Sequence, residues 1–299
     1  MNIKVIQSNI LAWYNKNWRS LPRRKTKDPY AIHISEVMLQ QTQVDRVIPY
    51  FHQRMKDFPD YKTLANASKT DLLKHRSWLW FNSRVLRLQQ CAKKIIENGK
   101  LKMENEAKRI QAKRDWLLFR NCLSSKEGKL EIRNCEDFTE LRVELQKLPW
   151  IWPYTSAAIM AFARNLPVPV IDTNIRRVLI FLFKLSETIT AKELETFAEK
   201  IIPKWKSRER HNALMDQWAL LLTARKTKIK PLSKQSKFEW SDRQVRWRTM
   251  KKIVQSSECR LLIQDIIDEF PRKNVKNILQ WMQEEWLITI KKWIIKITQ

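Results

Sequence analysis

Glycine is nearly absent from this chain: only 2 of its 299 residues are glycine, where average usage of about 7% would give roughly 20. Glycine adopts left-handed backbone conformations without steric cost, so tight turns normally depend on it. Here such turns have to be made by residues that carry side chains. The stretch LPWIWPYTSAAI shows the problem, because Trp150 and Trp152 flank Ile151 where a helical hairpin would bend, just before Pro153.

Apolar residues recur at helical spacing along most of the chain. Between residues 31 and 51 they form one apolar face at three- and four-residue steps, made by Ile34, Val37, Met38, Val44, Ile48 and Phe51. Further segments with helical character are 84–100, 169–183, 191–203 and 210–224. The sequence therefore predicts a mostly α-helical protein.

Composition divides the chain into three parts. Residues 1–225 carry the helical segments, with a charged and weakly periodic insertion at about 101–135. Residues 226–240 are basic and are predicted to form a linker. Residues 241–299 are predicted to form three helices and then a β-hairpin at LITIKKWIIKI, which is the pattern of a winged helix. A small helical extension without a binding role is the alternative for this last part.

The charge balance indicates a polyanionic partner. Lys and Arg outnumber Asp and Glu by 58 to 31, which gives a net charge of +27, and nucleic acid fits such an excess best. No apolar run approaches the roughly 18 residues of a membrane span, and the N terminus lacks an export signal. We therefore expect a cytoplasmic, nucleoid-associated protein that does not bind membranes. The four cysteines lack the spacing of metal ligands, so we expect reduced thiols and no metal site.

Two carboxylates lie in contrasting predicted environments. Glu36 is on a helix among apolar residues, where partial burial favours the protonated form and a role as proton donor. Asp172 precedes a helix in VIDTNI, where backbone N–H groups and the helix dipole favour the ionised form. Such a pair suits an acid and an anionic stabiliser for the cleavage of a glycosidic bond. An edge-of-core glutamate and an ordinary N-cap aspartate are the simpler alternative.

Three segments occur in a characteristic order, namely SEVMLQQTQVDRVIPYF, LPWIWPYTSAAI and PVIDTNIRRVL. Together they resemble the adenine-specific DNA glycosylases of the MutY type, which belong to the helix-hairpin-helix superfamily of base-excision enzymes. The resemblance covers roughly residues 5–225 and implies a helix-hairpin-helix glycosylase core. It implies that Glu36 protonates adenine and that Asp172 stabilises the oxocarbenium-like sugar, with Tyr154 and Asn174 supporting that site.

The resemblance also implies contacts to DNA and to the excised base. The candidate DNA contacts are Gln41, Thr42, Gln43, Trp150, Ile151, Trp152 and Thr155. The candidate base-pocket residues are Arg23, Arg24, Leu39, Val44 and Asn212. Gln41 and Thr42 match residues that enter the duplex beside a flipped base, whereas the hairpin would bind phosphate through main-chain N–H groups. Relatives that form a Schiff base carry a lysine at the position of Tyr154, so base removal without a lyase step is implied.

Tryptophan stands at nine positions that look like glycine positions. These are Trp18, Trp78, Trp80, Trp150, Trp152, Trp218, Trp247, Trp286 and Trp293. A side chain in the left-handed region costs roughly 1–2 kcal/mol, and an indole also blocks the close approach of backbone to phosphate. Our hypothesis is that a codon read here as tryptophan is decoded as glycine in the source organism. The competing hypothesis is a degenerate paralogue that binds DNA without catalysis.

Other departures concern the base pocket, the cofactor and the C-terminal part. Arg23 stands where the family has a tryptophan, and Asn212 where a longer Gln or Glu often reads the base. Family members commonly hold an iron–sulfur cluster on four cysteines after the helix that matches 210–224. The corresponding segment, 221–238, contains no cysteine, so no cofactor is predicted. The Nudix-like domain that checks for 8-oxoguanine is not recognisable, so weaker discrimination, or discrimination by the catalytic domain, is expected.

The sequence thus predicts a monofunctional DNA glycosylase that hydrolyses the N-glycosidic bond of adenine mispaired with 8-oxoguanine or guanine. It is expected to act as a monomer on double-stranded DNA. Two alternatives stay open: removal of another mismatched base such as thymine, and DNA binding without catalysis.

Overall fold

The computed structural model is mostly helical, and it describes residues 2–40, 42–74, 82–104, 137–203, 206–231, 237–256, 258–285 and 287–297. Its first helices are α1 (Ile3–Asn17), α2 (Pro29–Leu39), α3 (Val44–Asp57), α4 (Tyr61–Asn66), α5 (Lys69–Lys74) and α6 (Asn82–Glu104), with a short 3₁₀ turn at Pro22–Arg24. Next come α7 (Asp137–Gln146), α8 (Pro153–Arg164), α9 (Thr173–Phe183), α10 (Ala191–Ile201), α11 (Ser207–Leu220) and α12 (Ala224–Thr227). The C-terminal elements are α13 (Asp242–Gln255), β1 (Arg260–Leu262), α14 (Gln264–Ile267), α15 (Val275–Glu284), β2 (Ile288–Lys291) and β3 (Ile294–Ile297).

The mostly helical fold class predicted from the sequence is confirmed. Apart from 101–104 at the end of α6, the predicted insertion at 101–135 lies outside the described residues. No helix in the described ranges is long and apolar enough to cross a membrane.

The chain groups into two compact units. Unit 1 contains residues 1–40 and 98–233, and unit 2 contains residues 41–97 and 234–299. This grouping differs from the division predicted from the sequence, which placed 1–225 in one domain and 241–299 in another. The difference has a physical basis within unit 2, where Glu285 forms ion pairs with Arg87 of α6 and Arg246 of α13, at 3.2 and 2.5 Å.

Unit 1 is built around α9 and the helices that pack on it. Buried side chains of α1, α9, α10 and α11 form one apolar cluster, which includes Ile10, Ile175, Val178, Leu179, Phe183, Leu194, Ala198, Ile201, Ala213 and Leu214. In the same unit α2 packs against α8. These two helices carry Glu36 and Tyr154.

Unit 2 ends in the predicted winged-helix topology. Three helices, α13 to α15, are followed by the hairpin of β2 and β3, whose register pairs Ile290 with Ile295. The structure adds a third strand that the sequence analysis took for part of a helix: β1 pairs antiparallel with β3, so the sheet order is β1-β3-β2. With only three residues, β1 is too short to show the alternation that identifies a strand.

Candidate active site

Glu36 lies on the most buried helix of unit 1. Helix α2 starts cleanly because the Asp28 carboxylate accepts a hydrogen bond from the Tyr30 N–H and Pro29 occupies the first helical position. Every residue from Pro29 to Met38 is buried. The side chain of Glu36 is 4% exposed, so its carboxylate needs partners inside the protein.

Both carboxylate oxygens of Glu36 have such partners. The Arg23 guanidinium donates from Nη1 to Oε1 at 2.7 Å, and the Tyr154 hydroxyl donates to Oε2 at 2.9 Å. The sequence predicts that burial favours the protonated acid. In the structure the buried carboxyl also has the Arg23 guanidinium as a partner.

Tyr154 is the second residue of α8, and its hydroxyl lies near the carboxyl groups of both Glu36 and Asp172. Burial raises the pKa of Tyr154 well above its ordinary value, and the negative charges of Glu36 and Asp172 raise it further. The phenol therefore stays protonated and remains a hydrogen-bond donor. The predicted grouping of these three residues is present in the structure.

Asp172 is the N-cap of α9, as the sequence predicts. Its Oδ1 accepts hydrogen bonds from the N–H groups of Asn174, at 2.9 Å, and Ile175, at 2.7 Å. Burial nevertheless raises the pKa of Asp172 above its ordinary value, although these hydrogen bonds and the charge of Arg177 act in the opposite direction. The cap therefore acts in the predicted direction, towards the ionised form, but desolvation is the larger effect on the pKa of Asp172.

The predicted base-pocket residues have different surroundings. Besides its ion pair with Glu36, Arg23 lies over the Phe162 ring at 5.4 Å and points Nη2 at the Met215 sulfur at 3.3 Å. The Asn212 side chain is buried, and its Oδ1 accepts no hydrogen bond from any residue that the structure describes. Leu39 is half-buried near the end of α2.

Arg24, also predicted to line the base pocket, forms an ion pair with Asp216. It donates to both carboxylate oxygens of Asp216, at 2.7 and 2.8 Å, and Arg19 donates to the same group at 2.6 Å. Burial of Asp216 raises the pKa of its carboxyl, but the hydrogen bonds and charges of Arg24 and Arg19 outweigh burial and lower it overall. This ion-pair cluster ties the 3₁₀ turn to α11.

The predicted hairpin joins α7 to α8. Trp150 has a φ of +66°, and Ile151 is buried while Trp150 and Trp152 are 38% and 63% exposed. Trp152 precedes α8 without a side-chain cap, so the first N–H groups of the helix depend on other acceptors. Thr155 is 1% exposed. The buried side chains of Ile151 and Thr155 therefore anchor the hairpin, and its DNA contacts through main-chain N–H groups stay a prediction.

The remaining predicted DNA contacts are not part of unit 1. Gln41 lies outside the described residues. In unit 2, Thr42 is half-buried, exposed Gln43 is the N-cap of α3, and Val44, from the predicted base pocket, is its first residue.

Backbone geometry separates the nine suspect tryptophans. Trp78, Trp80 and Trp286 lie outside the described residues. Of the six others, Trp150 alone has a positive φ; Trp18 and Trp152 are extended, and Trp218 and Trp247 lie within helices. Left-handed backbone strain therefore arises at Trp150 and not at the five others. Trp240, which the sequence analysis did not single out, has a φ of +56°.

Several residues beside the site were missed. Phe162 and Met215 contact Arg23, and Arg177 approaches the Asn174 side-chain oxygen with Nη1 at 3.5 Å. Arg177 could have been found, because it lies one helical turn after Asn174 on α9. The contacts of Arg23 depend on tertiary placement and have no local sequence signal.

The segment after α11 does not fit an iron–sulfur cluster. Leu222 and Ile229 are buried there, whereas Arg225, Lys226 and Lys228 are exposed. Such a cluster needs thiolates, and the cysteines of the chain are at 91, 122, 135 and 259. Burial raises the pKa of the Cys91 thiol to about 12, so that thiol is a poor ligand.

Curated relatives with modest identity cover much of the chain. A protein named "Adenine DNA glycosylase" from Buchnera aphidicola subsp. Acyrthosiphon pisum is 27% identical over 97% of this chain and 69% of its own length. Another from Buchnera aphidicola subsp. Baizongia pistaciae is 31% identical over 74% of this chain, and a third from Homo sapiens is 28% identical over 74%. The chain spans only 54% and 36% of the lengths of these last two relatives.

Solved structures support the same fold. The chain is similar to a thermostable thymine-DNA glycosylase, with a TM-score of 0.58, 25% identity and coverage of 75% of this chain and 89% of that one. It is also similar to endonuclease III in a trapped covalent complex with DNA, with a TM-score of 0.52, 16% identity and coverage of 77% of this chain and 89% of that one.

A family model places the candidate site within a known superfamily. The model, described as "HhH-GPD superfamily base excision DNA repair protein", matches residues 34–204. This range is more than half of the chain and includes Glu36, Tyr154 and Asp172. The chain therefore belongs to the HhH-GPD superfamily of base-excision DNA repair proteins.

Proposed function

We propose that the protein is an adenine DNA glycosylase, which hydrolyses the N-glycosidic bond of adenine mispaired with 8-oxoguanine or guanine in double-stranded DNA. The observation that carries the proposal is the arrangement of Glu36, Tyr154 and Asp172 within unit 1. The Tyr154 hydroxyl donates a hydrogen bond to Glu36 and lies near enough to Asp172 to feel its charge, so the two carboxyl groups can supply an acid and an anionic stabiliser for glycosidic cleavage. The relatives named "Adenine DNA glycosylase" support adenine as the base.

The proposed reaction uses the three side chains in distinct roles. The target adenine leaves the base stack so that its glycosidic bond becomes accessible. Glu36, in its protonated form, gives a proton to the ring as the bond breaks and the electron pair moves to the base. Asp172, in its ionised form, stabilises the positive charge on the sugar. Water then adds to the anomeric carbon and returns a proton to Glu36, whose Oε2 is held by the Tyr154 hydroxyl.

The proposed enzyme is monofunctional. A lyase step needs an amine that forms a Schiff base with the sugar. The position that carries the nucleophilic lysine in such relatives is Tyr154 here, and a phenol has no amine nitrogen from which an imine could form.

The proposed DNA contacts are mainly electrostatic. A net charge of +27 favours duplex DNA, and the uncapped start of α8 offers backbone N–H groups to a phosphate. The exposed basic residues after α11 supply further phosphate contacts in place of an iron–sulfur cluster, which the proposed enzyme does not hold. We propose that it acts as a monomer.

Single-turnover release of adenine from a duplex with one A:8-oxoguanine pair tests the proposal. The parent chain is expected to release adenine without strand cleavage, and Glu36→Gln is expected to abolish release while DNA binding stays. Glu144→Gln, which removes an exposed glutamate of unit 1, is the matched control and should keep the parent rate. Tight duplex binding without release of any base would leave the non-catalytic alternative.

Thymine removal is the second candidate, because a thymine-DNA glycosylase is among the similar structures. A duplex with one G:T mispair, assayed in parallel, separates the two. Release of thymine but not adenine would replace the proposed substrate.

A further inference from the structure

A buried histidine of α11 accepts a hydrogen bond from the backbone that leads to Asp172. His211 is 2% exposed, and its Nε2 accepts a hydrogen bond from the Val170 N–H at 3.0 Å. Val170 is itself fully buried and lies two residues before Asp172. A buried N–H group needs an acceptor inside the protein, and the His211 ring supplies it. The ring therefore fixes the backbone next to the Asp172 carboxyl group.

The surroundings of His211 select one form of its ring. Nδ1 lies 2.7 Å from the Ser207 carbonyl oxygen, which can only accept a hydrogen bond, so Nδ1 carries the proton and Nε2 is the acceptor. Burial and the charge of Arg210 lower the pKa of His211 to about 3, so the ring is neutral near pH 7. A charged ring would carry a second N–H at Nε2 and would meet the Val170 N–H with another donor.

The same helix also holds the start of the loop between α8 and α9. The Arg208 N–H donates to the Asn165 side-chain oxygen at 2.8 Å, and the Arg208 guanidinium donates to two carbonyl oxygens at the end of α8, at 2.6 and 2.9 Å. Asn165 is the C-cap of α8 and has left-handed backbone. Helix α11 thus holds the loop 165–172 twice, through Arg208 at its start and through His211 close to Asp172.

We propose that His211 is a positioning residue, whose neutral ring holds the backbone at Val170 and thereby sets the position of the Asp172 carboxyl group. The inference rests on the proposed function, in which Asp172 stabilises the positive charge on the sugar. Such stabilisation is effective when the charged group is in place before the transition state forms. The N–H groups of Asn174 and Ile175 hold the carboxyl group to its own helix, whereas His211 holds the preceding backbone to α11.

Two amide substitutions at position 211 separate the contacts of the ring. His211→Gln places an acceptor at the reach of Nε2, whereas the shorter side chain of His211→Asn reaches only as far as Nδ1. In single-turnover release of adenine, His211→Asn is expected to be slower than the parent by about 10- to 100-fold, with unchanged affinity for the duplex. His211→Gln is expected to recover most of the rate. A parent rate in folded His211→Asn would overturn the inference.

A control variant separates positioning from a general loss of stability. Leu194→Ala removes a buried side chain of α10 from the apolar cluster of unit 1 and leaves the loop 165–172 unaltered. It is expected to lower the free energy of unfolding and to keep the parent rate while folded. A rate that falls in Leu194→Ala as far as in His211→Asn would overturn a specific role for His211.

NMR spectra of the backbone amides decide the inference without substrate. In the parent, a scalar coupling is expected between the Val170 nitrogen and Nε2 of His211, and its absence would overturn the inference whether or not the variants fold. In His211→Asn the signals of Asn174 and Ile175, which donate to Asp172, are expected to shift, and in His211→Gln to return towards the parent. Unshifted signals would overturn the inference even if adenine is released. A parent that releases no adenine would instead overturn the proposed function.

Discussion

At the scale of single residues, Trp150 is a bulky residue whose backbone is in the left-handed region. Its φ of +66° lies where only residues without a Cβ avoid strain. Trp150→Gly is expected to raise the free energy of unfolding by about 1–2 kcal/mol, measured by urea denaturation. Trp152→Gly is the control, because Trp152 is exposed and its backbone is extended. An equal gain in both variants would argue against backbone strain as the cause.

The recoding hypothesis leads to a separate prediction about the native polypeptide. Peptide mass spectrometry of protein from the source organism is expected to find glycine at 150 and 152. Indole side chains at both positions would instead favour the degenerate paralogue. Because Trp150 alone among the described suspects has left-handed backbone, the hypothesis now depends on the match to the family's glycines and less on accumulated strain.

Asp172 links the candidate site to a pH-dependent stability. Burial raises the pKa of Asp172 in the folded protein above its ordinary value of 3.8, so folding favours the protonated form. The contribution of Asp172 to the free energy of unfolding is therefore complete below the pKa of this carboxyl in the unfolded chain. It is lost as pH rises through the pKa of the carboxyl in the folded protein. Asp172→Asn keeps an N-cap but cannot ionise. The free energy of unfolding of Asp172→Asn minus that of the parent is therefore expected to be larger at pH 7 than at pH 3. Base release is expected to be lost.

Urea unfolding at the two pH values measures the Asp172→Asn effect. Asp60→Asn, at the exposed N-cap of α4, is the matched control. A stability difference between Asp172→Asn and the parent that is independent of pH would contradict desolvation as the dominant influence on this carboxyl.

The sequence could predict Glu36, Tyr154 and Asp172 because each lies in a local motif with a recognisable neighbourhood. The cap formed by Asp172 follows from chemistry within three residues of the chain. The contact between Arg23 and Glu36 could not be predicted, since it depends on how the 3₁₀ turn lies against α2. The burial that raises the pKa of Asp172 is likewise a property of packing and not of the cap.

At the scale of elements, periodicity predicted the long helices, and short elements were missed or misread. Helices such as α9 and α10 carry a clear apolar face. Strand β1 is three residues long and α14 is four, which is too short for a periodic signal. Grouping of 41–97 with the C-terminal part depends on side chains far apart in sequence, such as Arg87 and Glu285.

The β2–β3 hairpin has a prediction of its own. Lys291 and Lys292 are exposed and form no ion pair with any residue that the structure describes, and the adjacent Trp293 is 67% exposed. If the hairpin contacts DNA, Lys291→Ala/Lys292→Ala should weaken duplex binding. The slope of log K against log salt concentration should then become shallower by about two, since each phosphate contact contributes about 0.9.

A charge-matched variant controls for the lost positive charge. Lys252→Ala/Lys273→Ala removes two lysines from the same unit, but these are already paired with Glu269 and Asp242. It is expected to change the salt slope less. Equal slopes for the hairpin variant and the parent would favour a C-terminal extension without a binding role.

At the scale of the whole molecule, apolar burial and a hydrogen bond hold the segment after α11, where we propose that no cluster binds. Leu222 and Ile229 are 8% and 6% exposed, and the Ile229 carbonyl accepts a hydrogen bond from Arg177 Nε at 3.0 Å. Apolar burial and this hydrogen bond anchor the segment to α9. Leu222→Ala is accordingly expected to lower the free energy of unfolding by about 2–5 kcal/mol.

Measuring the iron content of the purified protein tests the prediction that it holds no iron–sulfur cluster. Protein expressed with added iron is expected to contain neither stoichiometric iron nor acid-labile sulfide, and to release adenine at an unchanged rate after treatment with a chelator. A cluster-carrying member of the superfamily, purified in parallel, controls for losses. The chain offers no group of thiolates after α11, so stoichiometric iron would require ligands from distant cysteines and would contradict the proposed cofactor-free enzyme.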